Sequence, residues 1–322
     1  MEIINGIHNI RSEHHGNVIT MGNFDGVHLG HQQILSTLQQ RGEEMGVPSA
    51  LITFEPQPRE YFAGSEVPPR LTRLREKVQV LSDTGLDRLV LLPFNERTAR
   101  TRPEWITDEL FHQMLGAKHV IVGDDFRFGR DRSGNFEMIE RVGQELGYSV
   151  GRMDTVEHLG DRVSSTRIRA ALKAGDFAMA TALLGHEYFI MGRVVYGRQL
   201  GRQLGVPTAN IRLQRYKAAL EGVYCVSVEG ISVEGVSDDG NNNRPEPLNG
   251  IANIGVRPTV DGKEPLLEVH VFDYTGNLYN ELLTIRFKRK LRDEQTFDGI
   301  DSLKVQIDKD IAEARDWFTT NA

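Results

Sequence analysis

The chain has 322 residues, 39% of them hydrophobic and 26% charged, which is an ordinary soluble globular composition long enough for about two domains. A net charge of −7 without any Lys/Arg run argues against a nucleic-acid partner. Cys225 is the one cysteine, which excludes an intramolecular disulfide and a cysteine-rich zinc site. We find no signal-peptide-like segment and no membrane-spanning apolar run, so we expect a cytoplasmic protein without membrane contact.

Five short apolar runs, each typical of a buried parallel strand, alternate with helical patterns as far as residue 184. The runs are VITM (18–21), ALITF (50–54), RLVLLPF (88–94), HVIVG (119–123) and YSVGRM (148–153). Apolar spacing predicts one helix from Leu71 to Gly85 and another from Pro103 to Gly116. This order predicts an α/β, doubly wound, Rossmann-like parallel sheet, which binds ligands beyond the carboxyl ends of its strands.

The segment GNFDGVHLGH (22–31) follows the first of these strands and places two histidines where a helix should begin. A helix N-terminus attracts phosphate, and glycines let the backbone approach a ligand closely. His28 and His31 are three residues apart, so on a helix they would share one face and could donate to phosphate oxygens. The alternatives are surface or capping histidines, or a zinc pair, although no third ligand has a suggestive spacing. Asn23 and Asp25 either orient a nucleotide or form an Asx turn.

The segment VSSTRIRAAL (163–172) also carries groups that suit phosphate. Ser164, Ser165 and Thr166 can cap a helix and present hydroxyls, and Arg169 offers a forked donor in its first turns. A simple helix cap is the alternative interpretation.

After residue 185 the pattern changes to alternating runs separated by turns, which predicts an antiparallel β-barrel. A closing amphipathic helix is predicted from Ser302 to Phe318. We therefore predict two domains, 1–185 and 186–322, and a loop in the polar segment 234–247.

The segment GRQLGRQLGVPTANI (197–211) predicts a second phosphate site within the barrel half. Gly197, Gly201 and Gly205 recur every fourth residue before a proline, and a glycine-bearing loop can fold its N–H groups around phosphates. Thr208 and Asn210 would alternate on one strand face and offer a hydroxyl and an amide oxygen to a hard cation such as Mg²⁺. A surface turn is the alternative.

These motifs resemble those of a known family. GNFDGVHLGH is similar to the His-x-Gly-His signature of the nucleotidylyltransferase superfamily, specifically to that of prokaryotic bifunctional riboflavin kinase/FAD synthetases. VSSTRIRAAL resembles the superfamily's second signature, and PTAN resembles that of riboflavin kinase modules. The resemblance extends from about residue 15 to 315 and implies a nucleotidylyltransferase domain followed by a riboflavin kinase barrel.

The resemblance also implies roles for individual residues. In the kinase module, Glu268 would be the general base, with an ion pair to Arg286 or Arg292 as the alternative. Phe54, Pro56 and Pro58 of TFEPQPREYF would contact the flavin, unless they form only a proline-rich strand exit, and Arg292 is assigned to the flavin as well. His28, His31 and Arg169 would act in adenylyl transfer, and Thr208 and Asn210 would hold Mg²⁺. The nucleotide would contact Gly22, Asn23, Phe24, Asp25, Gly30, Asp125, Ser164, Ser165, Thr166, Gly197, Gly201 and Gly205.

The implied function is phosphorylation of riboflavin to FMN, followed by adenylylation of FMN to FAD with release of pyrophosphate, with ATP as co-substrate of both steps. We expect a monomer or a weak homo-oligomer. Two alternatives are a nucleotidylyltransferase for another acceptor and a flavin-binding carrier without catalysis. One position departs from the family, because Asn280 stands where glycine commonly follows the dipeptide Leu-Tyr.

Overall fold

A computed structural model describes residues 1–197, 201, 204–231, 246–259 and 262–321. The chain divides into two compact units. The first contains Met1–Val67 and Thr72–Ser165, and the second contains Pro68–Leu71 and Thr166–Ala322. The domain boundary after residue 185 stays a prediction. Most of the loop predicted at 234–247 lies outside the described residues.

Six parallel strands form the sheet of the first unit, so the predicted parallel sheet is confirmed. The strands are β1 (Glu2–Asn5), β2 (Asn17–Met21), β3 (Ser49–Glu55), β4 (Arg88–Pro93), β5 (Ala117–Gly123) and β6 (Ser149–Met153), in the order β1-β4-β3-β2-β5-β6. Strand β1 was not predicted, because EIIN is too short to show a pattern. The strand order reverses between β2 and β5, and this is the point at which open α/β sheets bind their ligands.

Helices connect these strands. They are α1 (Leu29–Met45), α2 (Pro58–Ala63), α3 (Leu74–Ser82), α4 (Glu96–Ala99), α5 (Pro103–Trp105) and α6 (Phe136–Leu146). A hairpin of β7 (Glu157–His158) and β8 (Asp161–Arg162) follows β6. The helix predicted at Pro103 is confirmed, but its Ile106–Met114 portion is π-helical. The helix predicted from Leu71 begins only at Leu74, because Arg73 has an extended backbone and serves as its N-cap.

Apolar side chains cover both faces of the sheet, so β2 is buried at all five positions. On one face Ile19 packs in a cluster with Phe111 of the π-helix. On the other face Val18 packs in a cluster with Leu35 of α1 and Leu81 of α3. This two-sided burial explains why the strands are continuous apolar runs without alternation.

The second unit contains the predicted barrel, which is closed and antiparallel. Its strands are β9 (Phe189–Val195), β10 (Ala209–Arg212), β11 (Gly222–Glu229), β12 (Leu248–Thr259), β13 (Gly262–Val271) and β14 (Leu282–Arg292), in the order β10-β13-β12-β11-β14-β9. Its helices are α7 (Ser165–Ala174), α8 (Phe177–Leu184) and α9 (Ile300–Thr320). Helix α9 is the predicted C-terminal helix, and it begins before Ser302 and ends after Phe318, the bounds predicted from the sequence.

The barrel core follows the alternation of its strands. In β14, Leu283, Ile285 and Phe287 are buried while their neighbours are partly exposed. Strand β11 is buried on both faces, because Cys225 lies in a cluster with Ala314 of α9. Among the helices of the described residues, none combines the length and apolar character needed to cross a bilayer.

Candidate active sites

The backbone turns sharply between β2 and α1. Phe24 and Val27 have left-handed φ angles of 46° and 42°, and Gly26 has a φ of 86°. Such angles are costly for residues other than glycine and are typical of functional sites. His28 is extended and forms the N-cap, so α1 begins at Leu29. Only His31 therefore lies on the helix, and the two histidines do not share a helical face as the spacing predicted.

The two imidazoles nevertheless lie together. The His28 and His31 rings stack with their centroids 3.7 Å apart, and the Phe24 ring stacks on His31 at 4.5 Å. The glycines make room for these rings: a Cβ on Gly22 would lie 3.0 Å from the Phe24 ring, and one on Gly30 would lie 3.3 Å from the His28 ring. Both glycines thus serve the packing of the corner itself.

His31 has an unusual environment. Its Nδ1 is buried and has no hydrogen-bond partner among the described residues. Burial lowers the pKa of His31 well below its usual value, and the nearby His28 and Lys77 lower this pKa further. His31 is therefore neutral near pH 7, and a neutral imidazole carries one N–H donor.

Hydrogen bonds to Thr72 stabilise the turn between β2 and α1. The Asp25 carboxylate accepts from the Thr72 backbone N–H at 3.1 Å, and the Thr72 hydroxyl accepts from the Gly26 N–H at 2.9 Å. The Ser165 hydroxyl donates to the Asp25 carbonyl at 3.0 Å. Asp25 and Ser165 are thus brought together, although sequence reasoning did not find Thr72, which lies 47 residues from Asp25.

The other residues predicted to bind the nucleotide have different surroundings. Asp125 is exposed and accepts from Arg162 of β8 at 3.0 Å. Ser164 directly precedes α7, and Thr166 is exposed in its first turn. Arg169 belongs to the second unit, where its Nε donates to the Pro69 carbonyl. The roles of these residues stay predictions.

Phe54, one of the predicted flavin contacts, belongs to a cluster of aromatic rings around Phe94. Phe54 at the end of β3 meets Phe94 edge-on at 5.6 Å, and Tyr61 and Phe62 meet Phe94 at 5.5 and 5.7 Å. Phe62 is 70% exposed, which is unusual for so apolar a side chain. Pro58 begins α2, so it serves as a helix start in addition to any contact with a flavin. Sequence reasoning did not single out Tyr61, Phe62 or Phe94.

In the barrel, two of the predicted glycines lie against the predicted metal ligands. A Cβ on Gly197 would lie 2.5 Å from the Asn210 amide, and one on Gly201 would lie 3.3 Å from the Thr208 hydroxyl. Gly205 has a φ of 78° and permits the turn before Thr208. The structure thus brings together Gly197, Gly201, Thr208 and Asn210.

The polar atoms of Asn210 suit a hard cation. Its Nδ2 donates to the Thr208 carbonyl at 3.3 Å, while its Oδ1 is buried without a hydrogen-bond partner in the described part of the chain. Since a buried orphan oxygen is costly, a bound ligand would satisfy it. The same described residues contain no cluster of three or more His, Cys, Asp or Glu side chains suited to a metal.

Glu268 lies directly opposite Asn210 in the pairing of β10 with β13, and opposite Asn253 in the pairing of β12 with β13. Directly opposite residues of antiparallel strands point to the same face, so these three side chains form a row. Asn253 donates to Glu294 at 3.4 Å, and burial raises the pKa of the Glu294 carboxyl. Sequence reasoning missed Asn253 and Glu294, because only the register aligns them with the predicted base.

The two arginines considered as ion-pair partners of Glu268 bind other carboxylates. Arg286 contacts Glu229 at 2.5 Å, and Arg292 binds the buried Asp310 through Nε and Nη2 at 3.0 and 2.8 Å. The assignment of Arg292 to the flavin stays a prediction. Asn280 has a left-handed φ of 66°, a conformation that asparagine tolerates better than most residues, so its departure from glycine preserves the turn.

Comparison with known proteins decides the family. The family model for FAD synthetase matches residues 10–167, and that for riboflavin kinase matches residues 184–318. A bifunctional riboflavin kinase/FMN adenylyltransferase from Pseudomonas fluorescens is 46% identical over 98% of this chain and 97% of its own length. The chain belongs to the bifunctional riboflavin kinase/FMN adenylyltransferase family. The predicted family and its pair of activities are thereby confirmed.

Other members of the bifunctional riboflavin kinase/FMN adenylyltransferase family are also similar over their full lengths. The one from Escherichia coli K12 is 42% identical over 99% of this chain and 98% of its own length. The one from Haemophilus influenzae is 41% identical over 99% of this chain and 100% of its own length. A crystal structure of a Streptococcus pneumoniae protein named a macrolide-efflux protein matches 98% of this chain and 100% of that one, with a TM-score of 0.79 and 27% identity.

Proposed function

We propose that the barrel unit phosphorylates riboflavin to FMN and that the α/β unit joins FMN to AMP to make FAD, each step using one ATP. The observation that carries this proposal is the β10–β13 register, which sets Asn210 opposite Glu268 inside the range that matches riboflavin kinase. This register supports the proposal because it would set a cation ligand and a base on one face of one barrel.

In the kinase step, Glu268 takes the proton of the riboflavin 5′-hydroxyl as that oxygen attacks the γ-phosphorus of ATP. The bond from the γ-phosphorus to its bridging oxygen breaks, and ADP leaves. Thr208 and the Asn210 Oδ1 would hold Mg²⁺, which neutralises phosphate charge when bound. Gly197 leaves space for the Asn210 amide, and the Gly201 backbone borders the Thr208 hydroxyl.

In the synthetase step, a phosphate oxygen of FMN attacks the α-phosphorus of a second ATP in line. The bond between the α-phosphorus and the bridging oxygen breaks, and pyrophosphate leaves, so no covalent enzyme intermediate is needed. His28 and His31 donate hydrogen bonds to charge that develops on the phosphates, at the N-terminus of α1 whose dipole also favours anions. Phe54 and the rings around Phe94 offer an apolar surface to the flavin.

Several further assignments are made from the sequence alone. They are the contacts of Thr166, Arg169 and Arg292, the cytoplasmic location, the monomeric or weakly oligomeric state, and the absence of nucleic-acid and membrane partners. Each stays a prediction. The roles given to Pro56, Pro58 and Asp125 have the same standing.

Incubation of the full chain with riboflavin and Mg-ATP, followed by chromatography, tests the proposal. We expect FMN to appear first and FAD to follow, with pyrophosphate released in step with FAD. A parallel reaction that starts from FMN should yield FAD without a lag. Tight flavin binding without any product would contradict the proposal and would favour a carrier.

A further inference from the structure

Lys77 of α3 is a fully buried lysine, with no exposed surface. Burial of an ammonium is costly unless polar groups surround it, so lysines are rarely enclosed without a specific reason. Neither the motifs of the sequence nor the proposed chemistry makes use of this residue. Its position in the first unit places it beside the corner that carries the two histidines.

The Lys77 ammonium binds the backbone of that corner. Its Nζ donates to the Asn23 carbonyl at 2.5 Å and to the Thr53 hydroxyl at 3.4 Å. The Thr53 hydroxyl also lies 3.4 Å from the same carbonyl, so two donors from α3 and β3 converge on Asn23. Charge-assisted bonds of this kind are shorter and stronger than neutral ones.

Asn23 directly precedes the first residue of the corner that has a left-handed backbone. The next residue, Phe24, has the left-handed φ of 46°, and its ring stacks on His31. A strained φ persists only when the surroundings hold it. The Asn23 carbonyl is therefore the point at which α3 can set the orientation of the Phe24 ring, and through it that of His31.

Lys77 also acts on His31 through its charge. Burial lowers the pKa of His31 most, and His28 and Lys77 lower it further. The ammonium therefore favours the neutral form of His31.

We infer that Lys77 is a positioning residue for adenylyl transfer. Its buried ammonium donates a hydrogen bond to the Asn23 carbonyl, and this bond holds Phe24 and His31 in their stacked arrangement. This inference rests on the proposed FAD synthetase function. Lys77 acts through the corner and is not itself assigned any contact with the reacting atoms.

The test compares Lys77→Met, which is similar in length but lacks a donor, with Lys77→Gln, which keeps a donor but lacks the charge. Leu81→Ala is the matched control, because Leu81 is fully buried on the same helix and its truncation weakens packing without touching the ammonium. FMN formation by the same chain provides an internal control. The readouts are kcat and KM for FAD synthesis, the melting temperature, and the pKa of His31 by NMR titration.

We expect Lys77→Met to lower kcat for FAD synthesis about 10- to 100-fold, since small misplacements at a site cost up to about 100-fold. The KM for ATP should change less than about threefold and FMN formation should be unchanged, because ground-state binding depends less on exact orientation. Lys77→Gln should retain more kcat than Lys77→Met, and both should raise the pKa of His31. Leu81→Ala should lower the melting temperature without raising that pKa.

A folded Lys77→Met chain with kcat within about twofold of the wild type would overturn the inference. So would an unchanged His31 pKa together with an equal loss of kcat in Leu81→Ala, since Lys77 would then serve packing alone. If Lys77→Met does not fold, Lys77→Gln decides by the same two readouts. His28→Ala distinguishes failure of the proposed function from failure of the Lys77 inference. If His28→Ala still makes FAD at the full rate, the proposed function is wrong. If His28→Ala is inactive while Lys77→Met is fully active, only the inference about Lys77 is wrong.

Discussion

The two candidate sites are built in different ways. The corner of the α/β unit collects its rings from ten consecutive residues, 22–31, and depends on left-handed backbone at Phe24 and Val27. The row in the barrel joins Asn210 to Glu268 across 58 residues of sequence through strand register alone. A local motif can thus specify the first site, whereas the second exists only once β10, β12 and β13 have paired.

This difference determines what each site is sensitive to. A one-residue slip of β13 would turn Glu268 away from Asn210, because successive strand residues face opposite sides. In the corner, a change at Phe24, His28 or His31 would disturb a stack of three rings. Substitutions in one unit should therefore impair one activity and spare the other, and four predictions test this comparison.

The largest effect is expected from Glu268→Gln. It removes the proposed base and should lower the rate of FMN formation by about 10²- to 10⁴-fold, the usual contribution of general base catalysis. The rate is measured by chromatography with saturating riboflavin and Mg-ATP. FAD formation from supplied FMN is the control and should be unchanged; loss of both activities in a folded chain would show that the two sites are not independent.

His28→Ala should produce the opposite pattern. Removal of one donor to developing charge typically costs about 10²- to 10³-fold, so FAD synthesis should fall by that factor while FMN accumulates. Pyrophosphate release with FMN and ATP measures the effect. An FAD rate close to that of the wild type would mean that the stacked imidazoles are structural.

Gly197→Ala should have a smaller effect, because it disturbs Asn210 in the row with Glu268 without removing either side chain. Its Cβ would lie 2.5 Å from the Asn210 amide and must displace it, so we expect about a tenfold loss in kinase rate and a higher Mg²⁺ requirement. Gly299→Ala is the matched control, because nothing lies within 4 Å of the added carbon. Equal rates for both variants at limiting Mg²⁺ would argue against Asn210 as a ligand.

The smallest effect is expected at Asn280. Asn280→Gly should leave kinase activity unchanged, because both residues accept a left-handed φ. Asn280→Val should destabilise the chain by about 1–2 kcal/mol, the usual cost of that conformation for other residues. A kinase assay checks the Gly variant, and denaturant unfolding measures the stability of the Val variant. A Val variant as stable as the wild type would contradict the backbone explanation.

The candidate sites could be predicted in part. GNFDGVHLGH and PTAN predicted the corner and the pair Thr208 and Asn210 because each motif is contiguous, and both sets of residues do lie together. The helical face proposed for His28 and His31 was wrong, since the chain enters α1 only after His28. Lys77 and Asn253 gave no sequence signal, because each acquires its neighbours from distant segments.

The sequence by itself determined the alternation of buried strands and helices in the first unit and the change to barrel strands after residue 185, because periodicity is a local property of the chain. It also predicts phosphate sites from its glycines and helix starts, which are local features as well. Only the tertiary structure decided the switch point between β2 and β5, the π-helical winding of Ile106–Met114, the row around Glu268 and the burial of Lys77. These features depend on which segments pair and which side chains lose water, and that balance is settled only when the whole chain folds.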